Sequence, residues 1–237
     1  MRDNQHPHAY FADVWIGNIT SLNYSNSFSN FGIARADYNE QDKLTGNRSI
    51  IFNYNDQQYT QSIRSGLLHN WAFKFGDNHQ LEFKNLFNQL ANTQYIQRSG
   101  FDNGSNWDIR SFDQVYRGIY TGQLTGRHDL QSGSLKIDWM AGYNSAYRDQ
   151  PDYKRFRYNV DGSSSSLFIP NGAAQTTVLG RTYINMDESS YTAAFNAVKK
   201  IDLQDSKELE LKAGLFYEDK VRDFGARNIG YVKSTPT

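Results

Sequence analysis

No cysteine occurs among the 237 residues, which excludes disulfide frameworks, thiolate metal sites and thiol catalysis together. Charge of one sign is equally lacking. Lys plus Arg equals Asp plus Glu at 25 each and the pI is near 7.0, so no net field draws the chain to nucleic acid, and nucleic acid is not an expected partner. No apolar run approaches the ~18 residues of a membrane-spanning helix. The opening stretch MRDNQHPHAYFADVW lacks the apolar core and small-residue cleavage site of a secretory signal. That predicts either a chain retained inside the cell or an internal piece of a longer polypeptide. HExxH, GxSxG, P-loop and dinucleotide fingerprints are also missing, and the expectation is a non-enzyme without a cofactor.

The chain is instead rich in aromatic residues and amides. Only 38% of residues are hydrophobic, yet 15% are Phe, Trp or Tyr, with 22 Asn and 15 Gln. Three pairs of segments alternate apolar and polar residues about a short polar turn: LLHNWAFKF and QLEFKNLF around 76–79, VYRGIYTGQLTGRH and LKIDWMAGY around 129–134, SYTAAFNAVKKI and ELELKAGLFYEDK around 202–207. Period two is the signature of a strand between two environments. The stretches 83–90 and 191–201 also admit a helical period, and their alternating partners favour strands. A seventh strand is expected over 20–31 and an eighth over 10–17.

The segment from Leu135 to Tyr143 carries the main argument. Leu135, Ile137, Trp139, Ala141 and Tyr143 occupy one face while Lys136 and Asp138 occupy the other. Nine residues exceed the ~5 to 6 of an ordinary soluble strand and match the ~9 to 11 of a tilted membrane strand. Lys136, Asp138, Glu82, Lys84, Glu210 and Lys212 are then expected to face a wet lumen, and Ile137, Trp139, Leu209, Leu211 and Leu215 to face lipid. Tyr116, Tyr120, Tyr143, Tyr147 and Tyr191 are expected in an aromatic girdle near the long-loop ends of their strands. Long stretches at 95–111 and 148–189, opposite the short turns, read as extracellular loops. The expected fold class is therefore all-β: seven or eight strands of a larger antiparallel transmembrane β-barrel, with short periplasmic turns, filling residues 1–237. A soluble β-sandwich with Tyr-rich edges, serving as a soluble or surface-attached carbohydrate-binding or adhesion domain, is the alternative that the pattern leaves open.

The phrases SIRSGLLHNWAFKFGDNHQLEFKNLFNQ, IRSFDQVYRGIYTGQLTGRHDL, AGYNSAYRDQPDYKR and FYEDKVRDFGARNIGY resemble consecutive barrel segments of TonB-dependent outer-membrane receptors of the Bacteroidetes type, in order over most of residues 20–231. The resemblance implies residence in the outer membrane and uptake of a scarce extracellular ligand such as a siderophore or glycan. It also implies contacts with outer-membrane lipid, with the rest of the barrel and the plug of a full-length receptor, and with the TonB complex. A TonB box, a plug and a closing C-terminal aromatic strand are not found in the sequence, so the expectation is a central section of such a barrel.

Candidate ligand contacts are Tyr95, Arg98, Trp107 and Arg110, all in the segment read as the first long loop. Lys154, Arg155 and Arg157 suit an anionic ligand or a lipid phosphate. The HPH run at His6 and His8, the oxygen-rich stretch 101–108, and the carboxylates Asp149, Asp152, Asp187 and Glu188 were weighed for metal or hydrolytic chemistry. None has the spacing of a metal or catalytic site, so no metal is expected.

Overall fold

The computed structural model describes residues 13–41, 43–203 and 207–234. His6 and His8, the first residues of the expected strand 10–17, and the centre of the turn 202–207 lie outside them. The chain runs up and down as β1 (Val14–Tyr38), β2 (Ile50–Phe75), β3 (His79–Asp102), β4 (Ser105–Leu130), β5 (Leu135–Asp161), β6 (Ser164–Leu167), β7 (Gly180–Leu203) and β8 (Lys207–Gly230). All pairings are antiparallel in a single sheet of order β1-β2-β3-β4-β5-β7-β8, with the short β6 on the end of β5. The sheet is open, with β1 and β8 at its edges.

Seven strands of 24 to 27 residues extend about 80 Å each at ~3.3 Å per residue. This corrects the loop assignment. Residues 95–111 are the end of β3, a two-residue turn and the start of β4; within 148–189 only the stretches 162–163 and 168–179 lie outside strands. The apolar half of the alternation fades in these segments while the backbone ladder continues, so hydropathy lost sight of strands that hydrogen bonding keeps. Residues 14–17 and 20–31 likewise belong to one strand, and 83–90 and 191–201 are extended.

Directly opposed residues of an antiparallel pair project from the same face, so the ladder assigns every side. Asp138 pairs with Arg127, Arg127 with Gln80, and Asn196 with both Asp138 and Gly214. That row puts Lys136, Asp138, Glu82, Lys84, Glu210 and Lys212 on one face. Ile137, Trp139, Trp71, Phe73, Leu81, Phe83, Leu209, Leu211 and Leu215 fall on the other. All nine Asp, Glu, Lys and Arg residues of β1 to β3 share the polar face. On the apolar face the runs 112–130, 135–147, 189–197 and 209–217 contain no such charge. Lys199, just beyond, reaches out to Gln131 Oε1 and Ser134 Oγ at the turn.

On the inner strands the apolar face leaves Phe83, Leu124, Tyr191 and Phe195 exposed at 40% to 59%. The edge strands are open on both faces, and buried strand residues occur on both: Tyr54, Asp56, Trp107, Gln150 and Ser190 on the polar face, Gly118 and Gly126 on the apolar one. Tyr116, Tyr120, Tyr143, Tyr147 and Tyr191 do share the apolar face, and Tyr143 sits between Tyr120 and Tyr191, tilted to both, with centroids 6.2 and 5.1 Å away. They lie in mid-strand rather than at strand ends, because the strands continue past them.

Two departures from regular pairing shape the upper half, the end away from the 76–78 turn. Asn103 and Gly104 have φ of 50° and 82° between the paired Asp102 and Ser105, the signature of a type I′ hairpin. Near Pro151, the β5–β7 register shifts between Gln150 and Tyr153, a bulge at a residue that has no N–H to give. Beyond it the parity of β5 inverts, so Arg155 and Arg157 join the polar face while Lys154 and Phe156 turn to the other.

Lower on the apolar face, aromatic rings cover glycines of the neighbouring strand. Gly126 is paired with Trp139 and Gly118 with Tyr147; a Cβ added at those glycines would stand 2.3 and 2.1 Å from ring atoms. Gly126→Ala is therefore expected to displace Trp139 and to destabilise by about 1–3 kcal/mol through overpacking. Gly225→Ala, where an added Cβ meets nothing within 4 Å, serves as the near-neutral control, both read as denaturation midpoints of the folded chain.

Candidate functional site

Register separates the four residues picked from the sequence. Arg98 and Trp107 lie on the polar face; Tyr95 and Arg110 lie on the opposite one. They do not converge on one ligand, because a segment read as a loop is two strands, whose side chains alternate between faces.

Arg98 and Trp107 belong to a cluster at the upper end of the polar face. Arg98 Nε and Nη2 donate to Asp56 Oδ1 and Oδ2 at 2.7 and 2.8 Å, and Arg35 Nε donates to Oδ2 at 3.1 Å. The Asp56 side chain is 2% accessible, against 32% for Arg98 and 53% for Arg35. The acid is thus enclosed beneath two guanidinium groups that still face outward. Tyr54 OH donates to Asp102 Oδ2 at 2.9 Å, and Arg98 lies over the Tyr54 ring at 5.2 Å. Trp107 Nε1 donates to the Asp102 carbonyl at 3.0 Å, Arg157 stacks on the indole at 3.6 Å, and Phe168 meets it edge-on at 5.3 Å. The bulge at Pro151 is what brings Arg157 to this face.

Burial pushes the Asp56 carboxyl up, but hydrogen bonds from Arg98 and the charges of Arg98 and Arg35 outweigh it and hold the group below its ordinary value. The bond to Asp56 raises Arg98. Burial first, then the bond to Asp102 and its charge, pushes the Tyr54 phenol up to about 12. Neutral Tyr54 and ionised Asp56 are the states that the cluster holds.

On the apolar face, Tyr95 sits between Tyr59 (6.1 Å) and Phe112 (4.7 Å), and Phe156 meets Phe112 edge-on at 6.4 Å. Arg110 is paired with Asp108 at 2.6 Å and lies over Tyr158 at 5.2 Å. This is a separate aromatic patch lined by Phe28, Asn30, Tyr59, Gln61, Thr93 and Tyr95. Lower down the polar face, a depression of about 460 Å³ is bordered by Gln80, Glu82, Lys84, Arg127, Asp138 and Asn196.

The other groups weighed for chemistry are occupied or divided. Asp102 and Asp108 of the oxygen-rich stretch 101–108 lie on opposite faces. Asp152 is held by Arg181 and Lys154, and Glu188 by Lys220 and Arg222. His128 accepts from Trp139 Nε1 on Nε2 at 3.0 Å, so its proton is on Nδ1 and is donated to His79 Nδ1, also at 3.0 Å. Among the described residues no three His, Asp or Glu side chains gather as for a metal ion.

Sequence reading missed Arg35, Tyr54, Asp56, Asp102 and Arg157 as parts of one cluster. The Asn103-Gly104 dipeptide was the available signal: taken as a hairpin turn it pairs Asp102 with Ser105 and brings β3 beside β4 up to their ends. No protein-family model, curated protein or solved structure matches the chain.

The cluster generates a pH dependence with two limbs. The raised Tyr54 contributes stability in full below the unfolded phenol value of about 10 and loses it as pH rises through about 12. The depressed Asp56 contributes in full above the unfolded carboxylate value of about 3.9 and loses it as pH falls through its folded value. Tyr54→Phe should remove part of the alkaline limb and leave the acid limb unchanged, measured as denaturation midpoint against pH.

Proposed function

We propose that these residues form a stretch of wall in an outer-membrane β-barrel, from a TonB-dependent receptor of the Bacteroidetes type that takes up a scarce extracellular ligand without performing chemistry on it. One observation carries the reading. The register leaves a band of the apolar face free of charge and exposed, through Phe83, Leu124, Tyr143, Tyr191 and Phe195, directly behind a polar face that carries Lys, Arg, Asp and Glu at the same level. Water as the only solvent would favour the reverse, since burial of apolar surface drives folding there. A hydrocarbon solvent outside and water inside accounts for both faces at once.

The dimensions support the same arrangement. From Leu135 to Tyr147 the outward residues are free of charge, about 40 Å along the strand and about 28 Å across a bilayer at a 45° tilt. The short turns at 76–78 and 131–134 then face the periplasm, and the upper strand halves stand in the extracellular space. In that setting the Arg98–Trp107 cluster lines the mouth of the lumen, where a ligand enters. The edges at β1 and β8 require further strands, because unpaired N–H and C=O groups in hydrocarbon cost several kcal/mol each. The rest of the receptor's barrel supplies them, its plug fills the lumen, and the TonB complex delivers energy.

A second reading, a surface adhesion or carbohydrate-binding domain, draws on the Tyr59–Tyr95–Phe112 patch, whose uncharged rings suit stacking on sugars. It leaves the charge-free band of the apolar face without a solvent.

The two readings divide on one contrast. In the parent receptor, Ala141→Arg, at the centre of the charge-free run on the apolar face, is expected to impair barrel assembly by about 2–4 kcal/mol, while Lys136→Gln is nearly silent. Equal effects, or recovery of the parent protein from buffer without detergent, would falsify the membrane assignment. Sidedness is checked independently. An epitope inserted at Gly162 should be reached by antibody on intact cells, and one inserted at Asp77 should be hidden; the opposite labelling would invert the topology.

A further inference from the structure

We infer that Arg117 and Arg148, with Arg64 beside them, form an oxyanion-binding site on the polar face, for a dissolved carboxylate or phosphate carrying at least two negative charges. Arg117 and Arg148 are direct cross-strand partners. Their row runs through Leu90 to Arg64 on one side and through Met186 to Phe224 on the other. Like charges placed opposite one another destabilise an antiparallel pair, and the usual remedy is a carboxylate between them.

Elsewhere on this face most arginines have that remedy, and Arg155 is instead held by the Tyr153 hydroxyl and ring. Arg35 and Arg98 share Asp56, Arg157 has Asp102, Arg127 has Asp138, and Arg222 has Glu188. Among the described residues no Asp or Glu is paired with Arg64, Arg117 or Arg148. Asp113, on the same face of β4, is engaged by an amide instead: Arg148 Nη2 donates to Gln150 Oε1 at 3.1 Å, and Gln150 Nε2 donates to Asp113 Oδ1 at 2.6 Å. Asp149 projects to the opposite face. Arg148 Nε is fully shielded from solvent and has no hydrogen-bond partner, a buried donor left without an acceptor, which costs stability in the empty state.

The chemistry of the missing partner follows from the donors. Guanidinium forks present paired N–H groups that match carboxylate and phosphate oxygens bidentately. Side chains opposed across one ladder have Cβ atoms about 5 Å apart, close enough to grip a single oxyanion between them. Arg64 is two strands from Arg117, about 10 Å away, and is placed for a second anionic group on a larger ligand. The site deepens the receptor reading by naming a ligand class, and depends on that reading only for the ligand's route of entry.

The test uses the parent receptor purified in detergent micelles and titrated with citrate, inorganic phosphate and acetate at constant ionic strength. Affinity is read by calorimetry and stability by denaturation midpoint. Citrate and phosphate are expected to bind and raise the midpoint, and acetate to do neither. In the Arg117→Gln, Arg148→Gln double variant, binding should weaken at least about tenfold, while the ligand-free midpoint stays equal or rises because the repulsion is gone. Arg64→Gln should weaken citrate and spare phosphate, and Arg148→Lys, which keeps the charge but loses the fork, should retain the fold with reduced affinity for both. Equal midpoint shifts in wild type and double variant, or a destabilised double variant alongside a wild type that ignores citrate, would overturn the site. If the parent protein is recovered in buffer without detergent, the membrane reading fails, and the same titrations in buffer still decide for or against the anion site.

Discussion

The antiparallel ladder is the constraint on which everything else in this molecule depends. Six long pairings join its seven long strands, and because side chains alternate, a slip of one residue in any of them would send that strand's charges to the apolar face. On β3, such a slip would move Glu82, Lys84, Arg98 and Asp102 together. The penalty is collective, so the pattern of residues and the hydrogen-bond register reinforce each other along the whole length. Among the described residues the phase changes near Pro151 and, at the far end of β1, between Asp37 and Tyr38, both above the charge-free band.

That division explains how the electrostatics can be balanced locally. The polar face carries both signs in short pairs such as Lys84 with Glu82 at 2.6 Å, Arg127 with Asp138 at 3.0 Å and Lys212 with Glu210 at 3.3 Å. Individually, exposed pairs of this kind are worth little. Their effect is on the field: a wall of paired charges is wet and nearly neutral, and an unpaired set within it acquires meaning by contrast.

The lower half of the sheet was legible in the sequence because two different environments imposed period two on it. Lys136 and Asp138 against Ile137 and Trp139 fixed one strand, and Glu82 with Lys84 and Glu210 with Lys212 fell in step. The upper half lost that contrast. Between 95 and 111, polar residues occupy both faces, so hydropathy is silent while the ladder runs on to Asp102. The inversion after Pro151 was illegible for a different reason: a bulge changes parity without changing composition, and it separated Lys154 from Arg155 and Arg157, which the sequence shows as one basic run. The site suffered from both effects. Arg98 and Trp107 were found as individual residues, but their partners Asp56 and Asp102 come from register, and Tyr95 and Arg110 from the same stretch point away from them.

Under the proposed receptor reading, the two-residue turn at Asn103 and Gly104 sets how recognition would proceed. Strands paired to within one residue of their tip hold Asp102, Trp107 and Arg98 in place before any ligand arrives, so little side-chain and backbone freedom remains to be lost on contact. Association at this corner is then governed by collision and desolvation rather than by a folding step. Its thermodynamic mark would be a heat-capacity change set by the area of contact alone, without the added increment that accompanies coupled folding.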